Sequence, residues 1–353
     1  MSIYIRSAAS VSAQNTLSND GFLTDVVTYT GTRLPAIEPD YKKYIDPKLI
    51  RRMSHVIKMG VAAAQECLIK AQVEMPGAIV TGTAFGCLED TYTFLGRIIE
   101  MDEEMLPPTA FIQSTHNTVG AQVALMLKCH AYNNTFVHKG VSFESALLDG
   151  MLLLKEQDAD NVLVGGIDEM TDASFTVLTR LGLYKRQPIT NLELFNSTSR
   201  GTIGGEGASF VLLTDKVSLH NMAQLQGLQT VFKPTESISE IVSAFLAKEG
   251  VCTEDIDVVV TGKNGDIRND AVYDFVPAMF KGSTIANYKH LCGEYPTSSA
   301  FGLWMAANIV NGQNVPAVTV QRASDTGKKP KKVLFYNHYQ NVYHSLMLLS
   351  ACD

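Results

Sequence analysis

Short apolar segments that close on glycine alternate along this chain with helices that are apolar on almost every side. Ala78–Gly86 reads Ala-Ile-Val-Thr-Gly-Thr-Ala-Phe-Gly, and Asn161–Gly166 reads Asn-Val-Leu-Val-Gly-Gly. Both are too short for helices and are punctuated by glycine, as fully covered strands are. Helical stretches follow at Asn117–Leu127, at Ser142–Glu156 with Ala146, Leu147, Met151 and Leu154, and at Ser298–Val310. A helix without a broad polar face belongs between two layers. Covered strands and sandwiched helices together imply an α/β fold. The pattern then starts again. After Ala208–Leu213 come helix Ile238–Lys248, strand Ile256–Thr261, helix Asp270–Phe280 and strands Ala317–Val320, Val333–Tyr336 and Ser345–Leu349. This predicts two similar halves, 1–215 and 216–353, in one compact unit. Ahead of the first glycine strand, Ile50, Met53, Ile57, Val61, Ala64 and Leu68 recur three or four apart and predict one helix from Pro47 to Ala71.

Charge narrows the function. Charged residues are 18% of the chain, against a usual share of about 25%. A low share points to a large core or to surface covered by another subunit. The net charge of −7 argues against broad nucleic-acid binding. The dense basic run Lys328-Lys329-Pro330-Lys331-Lys332 reads as a solvated lead-in to a strand. No run of 18 apolar residues exists to span a bilayer. The start of the chain lacks a signal peptide's apolar core, so a cytoplasmic protein is expected. Six cysteines form no CxxC pair, so free thiols are expected and no metal site.

The glycine motifs carry a resemblance. Gly82-Thr-Ala-Phe-Gly86, Asp158-Ala-Asp-Asn-Val-Leu-Val-Gly165-Gly166-Ile-Asp-Glu169 and Arg200-Gly-Thr-Ile-Gly-Gly205-Glu206-Gly207-Ala-Ser209 occur in the order found in β-ketoacyl-ACP synthases. The spacing Lys289 to Gly293, with the helix leading to Val315-Pro316, resembles that family's second catalytic region. The resemblance implies a thiolase-like, five-layered αβαβα fold made of two similar halves. It also implies dimers built through a strand near the nucleophile, here Thr135–His138.

The family's chemistry needs a cysteine at a helix N-terminus, whose thiolate the helix dipole favours. It needs two histidines, or a histidine and an asparagine, to stabilise an enolate. Counted from Asp158, the cysteine position is Gly140, and the family's serine matches Ser142. The first histidine position falls on Gly262, in a loop with Asn264, Gly265 and Asp266. The K-x-x-x-G-H motif reads Lys289-His-Leu-Cys-Gly-Glu294, with glutamate at the histidine position. A competing register aligns His290-Leu-Cys-Gly293 instead, at the cost of extra residues before Val315. The terminal glycine loop has become Asn337–His344 without a glycine, so bulky residues are expected to narrow the site.

The resemblance therefore implies a chain-length-factor-like member: a non-condensing subunit that pairs with a cysteine-bearing synthase and shapes its acyl or polyene tunnel in fatty acid or polyketide-type biosynthesis. Its implied partners are that synthase or a second copy of itself, and an acyl carrier protein. No cofactor is implied, and the carrier's phosphopantetheine arm is the candidate ligand. Two other readings stay open: a malonyl-ACP decarboxylase or acyltransferase working without cysteine, and a homodimeric acyl-ACP binding protein. Lys289 and Glu294 read as a structural ion pair or as an acid/base pair. Ser142 and Glu144 read as helix-start chemistry or, for Ser142, a substitute nucleophile. His138 reads as a strand or interface residue or a base, and Cys87 and Cys292 as buried thiols. The segment 107–113 and the loop after Thr176 are expected to face the carrier protein or the tunnel.

Overall fold

Strand Tyr4–Val11 (β1) holds the middle of one eleven-stranded sheet. The computed structural model describes residues 2–17, 22–106, 108–324 and 327–352. On one side of β1 lie β2 (Ala78–Gly82), β3 (Tyr132–Phe136), β4 (Asn161–Asp168) and β5 (Gly207–Thr214). On the other lie β6 (Ala223–Phe232), β7 (Val258–Thr261), β8 (Thr284–Asn287), β9 (Val320–Arg322), β10 (Lys332–Tyr339) and β11 (Tyr343–Ser350). The order is β9-β8-β7-β10-β11-β6-β1-β5-β4-β2-β3.

The two sides repeat one topology. In the first, β3, β2 and β4 are parallel, and β5 and then β1 add antiparallel. In the second, β8, β7 and β10 are parallel, and β11 and then β6 add antiparallel. The halves meet through a short antiparallel contact, Tyr4 opposite Gln224 and Ile5 opposite Ala223.

Layering follows from where each apolar face goes. Helices α4 (Ser142–Lys155) and α6 (Ser299–Val310) lie between the half-sheets, with Leu147, Leu154, Leu303 and Met305 in one core with Val80, Val164, Val260 and Phe335. Outside the first half-sheet, α1 (His55–Ala71) and α3 (Thr118–Leu127) pack Ile57, Val61 and Val123 against Ile79, Leu163 and Phe210. Outside the second, α5 (Ile238–Lys248) packs Val242 and Phe245 against Val259, Leu334 and Leu348. Along β10, Val333 and Phe335 face the central layer while Leu334 and Tyr336 face the outer one. Both sheet faces are covered, so the strands read as continuous apolar runs. Helix α2 (Leu88–Glu100) differs, for it buries none of its residues.

Several elements depart from the sequence expectation. The helix expected from Pro47 to Ala71 is two helices, Pro47–Ile50 and His55–Ala71, because the chain turns at Arg51-Arg52 and the Arg52 carbonyl accepts from Gln113 Nε2. Asp270–Phe280 divides into a 3-10 turn, Asp270–Tyr273, and a short helix, Val276–Met279, whose Pro277 supplies no N–H to a continuous ladder. The strand expected over Thr135–His138 runs Tyr132–Phe136, since parallel pairing puts Ala78 opposite Tyr132 and Gly82 opposite Phe136. The turn Ala317–Thr319 precedes the short strand β9. Strand β6 lies outside the sequence expectation, although Ala-Gln-Leu-Gln-Gly-Leu-Gln alternates with period two. Pro107 lies outside the described residues; Pro108–Gln113 is a short helix.

Candidate functional site

The predicted site positions converge where the two halves meet at the start of α4. The loop after β3 turns through Lys139, at φ +51°, into the helix. Gly140 is buried there, and a Cβ on it would stand 2.4 Å from Tyr339 Cβ and 2.8 Å from the ring carbon Cγ. A side chain at the nucleophile position and the tyrosine at the end of β10 claim the same space. Ser142 is fully committed to the backbone: its Oγ donates to the Lys139 carbonyl at 2.8 Å and accepts from His138 N–H at 2.8 Å. Both bonds tie the hydroxyl to the loop that leads into the helix. His138 meets Ser145 Oγ at 2.9 Å, away from Gly140.

The second half supplies the opposite wall. Gly262 follows β7, and a Cβ on it would come within 2.2 Å of Asn337 Oδ1 and 2.9 Å of the Tyr273 hydroxyl. Asn337 accepts from the Tyr288 hydroxyl at 2.9 Å. Two residues on, Asn264 is buried and its Nδ2 donates to Glu294 Oε2 at 2.8 Å. Asp270 holds this loop by accepting from the N–H groups of Asn264 and Gly265, both at 2.9 Å.

Lys289 and Glu294 meet. Lys289 Nζ donates to both carboxylate oxygens, at 2.8 and 2.7 Å, and to the His338 carbonyl at 3.0 Å. Their side chains are 0% and 7% exposed. The ammonium therefore has three acceptors and the carboxylate a second donor in Asn264, which is what a buried pair requires. His338 and His344 lie beside them, both buried. Burial pushes the His338 imidazole well below the usual histidine range, and the charge of Lys289 pushes it further. Burial likewise raises the Glu144 carboxyl, which accepts from Ser345 Oγ at 2.8 Å. His290, from the competing register, points elsewhere, edge-on to Phe195 at 5.0 Å between ring centroids.

The glycine motifs frame this arrangement. A Cβ on Gly82 would strike the Ser142 carbonyl at 2.4 Å, so that glycine lets α4 start against the end of β2. Gly86, at φ +65°, turns the chain under His116. Gly165 takes the Phe210 ring on one face of β4, and Gly166 takes Ala300 of α6 on the other. Gly205 and Gly293 let the Lys289 turn dock: Gly205 N–H donates to the Glu294 carbonyl at 3.0 Å. Gly207 faces the Tyr295 hydroxyl. Glu206 accepts from Ala36 N–H, Met170 N–H and His55 Nε2. Burial opposes its charge, but those bonds, led by His55, hold its carboxyl below the usual range. Asp168 was not singled out from the sequence. Its Oδ1 accepts from Thr83 Oγ1, Ala84 N–H and Phe85 N–H, and its Oδ2 from Thr297 N–H and Oγ1. It ties the first glycine turn to the approach to α6. Cys87 and Cys292 are buried thiols whose pKa burial raises.

A cavity of about 20 Å³ remains beside the site, lined by Tyr184, Thr202, Asn264, Asp266, Glu294 and Tyr339 among others. It has room for a water and not for an acyl chain. Lys289, Glu294 and Asn264 satisfy one another, while Nε2 of His338 and of His344, buried beside them, has no hydrogen-bond partner among the described residues. Tyr339 is the residue that fills the space at Gly140. The sequence pointed to bulky residues in its segment without saying which would reach Gly140.

Residues 35–195 match the family model for the N-terminal domain of β-ketoacyl synthases. No curated protein matches the chain by sequence. Solved structures share its fold over essentially the whole chain. The ishigamide ketosynthase/chain length factor matches with a TM-score of 0.80 and 15% identity, covering 100% of this chain and 99% of that one. A type II polyketide synthase ketosynthase in complex with its acyl carrier protein matches at 0.78 and 14%, covering 99% of each. A ketosynthase in complex with its chain length factor, from Xenorhabdus doucetiae, matches at 0.73 and 14%, covering 99% of this chain and 98% of that one. The family match thus covers residues 35–195, and the solved ketosynthase structures share the thiolase-like fold of the whole chain.

Proposed function

We propose that this chain is a non-condensing subunit of the chain-length-factor type, which pairs with a cysteine-bearing synthase in fatty acid or polyketide-type biosynthesis in the cytoplasm. The observation that carries the reading is the packing of Tyr339 on Gly140. The nucleophile is missing, and the room for it is filled by a residue from the other half. Loss of a cysteine alone leaves a vacant site that a substitute group can use; here the site is closed. The mutual saturation of Lys289, Glu294 and Asn264 argues the same way against decarboxylation or acyl transfer by the chain itself.

A subunit that does no chemistry acts through its surface. The edge strand β3 ends the sheet with unpaired backbone groups, and such an edge invites another chain. Around it stand exposed Tyr132 and Val137, with Leu148 and Leu152 on the adjacent face of α4 and Leu125 on α3. A large apolar patch around a free edge supports pairing with a subunit of like fold. Among the described residues, no helix is long and apolar enough to cross a membrane. Relatives in fold occur as ketosynthase–chain length factor complexes and with an acyl carrier protein. We extend both kinds of partner to this chain, with the carrier's phosphopantetheine arm received by the partner synthase.

Co-expression with a cysteine-bearing β-ketoacyl synthase tests this. The expected result is a stable heterodimer that elongates an acyl chain with malonyl-ACP, while this chain alone releases no carbon dioxide from malonyl-ACP. A monodisperse homodimer that ignores the synthase, or decarboxylation by the isolated chain, sinks the reading.

A further inference from the structure

Helix α2 runs for 13 residues and buries none of them. It is held from beneath. Half-buried Phe94 lies against Phe111 at 5.2 Å between ring centroids, and Thr91 Oγ1 donates to the Ser114 carbonyl at 3.2 Å. The outer face carries Tyr92, Leu95 and Ile99, which are 66%, 53% and 79% exposed. Their spacing of three and then four residues aligns them in one stripe along the helix. Met101 and Met105, just past the helix end, are exposed as well. Apolar side chains scattered singly over a surface are ordinary, whereas a continuous stripe marks a contact site.

Gly96 lies on the same face, four residues after Tyr92 and three before Ile99. A Cβ built on it would have no atom within 4 Å, and its φ is not in the left-handed region. Nothing in this chain's own packing requires the glycine, and glycine is a poor residue for a helix interior. Bare backbone within an exposed apolar stripe lets a second helix approach closely.

Charge names the occupant. Exposed Glu89 and Glu100 border the stripe, and exposed Asp102, Glu103 and Glu104 follow it. None of the five makes an ion pair among the described residues. Arg97 is the one basic residue between Leu88 and Leu106. A second copy of this chain would bring the same negative charge, and an anionic bilayer would repel the face too.

We infer that the outer face of α2 docks an amphipathic helix of a partner protein, with basic residues along the borders of that helix's apolar stripe. Tyr92, Leu95 and Ile99 are the apolar anchors, and Gly96 sets how closely the partner approaches. Glu89, Glu100 and the acidic residues after them meet the partner's lysines or arginines. None of these residues belongs to the β3 edge, so the site stands whether or not the chain pairs with a synthase.

Fluorescence anisotropy with the purified full-length chain tests it. The probe is a labelled helical peptide with leucines three and four residues apart and lysines between them. A peptide with glutamate in place of lysine is the control. The lysine peptide should bind saturably, weaken as salt is raised, and bind at least tenfold tighter than the control. Leu95→Ser/Ile99→Ser and, separately, Gly96→Leu should each weaken it at least tenfold. Neither should lower the melting temperature beyond a few degrees, because the altered positions face solvent. No saturable binding, equal binding of the two peptides, or an affinity undiminished in either variant overturns the assignment. So does a concentration-dependent dimer of the unaltered chain that Leu95→Ser/Ile99→Ser dissolves, since that gives the face to a second copy. Should Gly96→Leu fail to fold, Leu95→Ser/Ile99→Ser decides the matter alone.

Discussion

The contact between Gly140 and Tyr339 makes two sequence changes one event. Gly140, at the position the resemblance assigns to the cysteine, and Tyr339, in the segment it assigns to the glycine loop, are 199 places apart and share one volume. Gly140→Cys should lower stability by about 1–3 kcal/mol through overpacking, and adding Tyr339→Gly should recover most of that loss. Urea denaturation of the two variants and the double variant measures the coupling. The ion pair carries a similar expectation. Lys289→Met leaves the Glu294 carboxylate buried and uncompensated, at a cost of about 3–5 kcal/mol. The double variant Lys289→Met/Glu294→Leu should lose far less than the two single changes added together. Strictly additive losses in the same denaturation assay would mean that the two groups do not act as a pair. His290 adds a pH dependence. Burial lowers its pKa to about 4, so the folded state resists a proton that the unfolded chain accepts at the ordinary 6.5. Its contribution is therefore present above pH 6.5 and lost as pH falls towards 4, by roughly 3 kcal/mol in total. Glu169 works in the opposite sense: burial raises it to about 7, and its contribution is lost as pH rises from 4.5 to 7. His290→Leu should flatten the acid limb between pH 6.5 and 4 relative to the unaltered chain, as read from urea midpoints across that range. At this scale the sequence supplied positions. It had no means of showing that Ser142 is bonded to the backbone of the preceding loop, or that Glu294 reaches both Lys289 and Asn264, since those are side-chain directions set by packing.

Elements were more legible than contacts. Strands covered on both faces and helices apolar all round can be read directly, because burial on two sides removes polar residues from the sequence. Thus β2, β4, α4 and α6 lie where the apolar runs put them. Boundaries failed where a side chain or a proline redirected the backbone, at Arg51-Arg52, at Pro277 and at Pro316. The edge strand β3 is polar and half-exposed, so its register came from parallel pairing with β2 and not from its own composition. Asp168 belongs to this scale, as it joins the turn after β2, the end of β4 and the approach to α6. Asp168→Asn turns an acceptor into a donor that faces other donors. It should cost on the order of 3 kcal/mol, and amide exchange should speed up in both Thr83–Phe85 and Thr297–Ser299. Exchange that changes in only one of the two segments would show that the carboxylate does not couple them.

At the scale of the molecule, the repeated topology places the tightly packed candidate site at the seam between the halves and a free sheet edge at one end. Leu148→Glu/Leu152→Glu should abolish pairing with the synthase on size exclusion while leaving the melting temperature of the isolated chain within a few degrees, because both side chains are exposed. Retained pairing would move the interface away from β3 and α4. The low charged fraction, the ordered glycine motifs and the lack of a cysteine near position 140 determined by themselves the α/β class, the family resemblance and the expectation of a non-condensing member. All three are local or compositional, so they survive without coordinates. Only the tertiary structure decided that the site is closed and not merely vacant, and that its remaining charges neutralise each other. Each of those depends on residues from different elements sharing one volume, and that is fixed by how the half-sheets pack across α4 and α6.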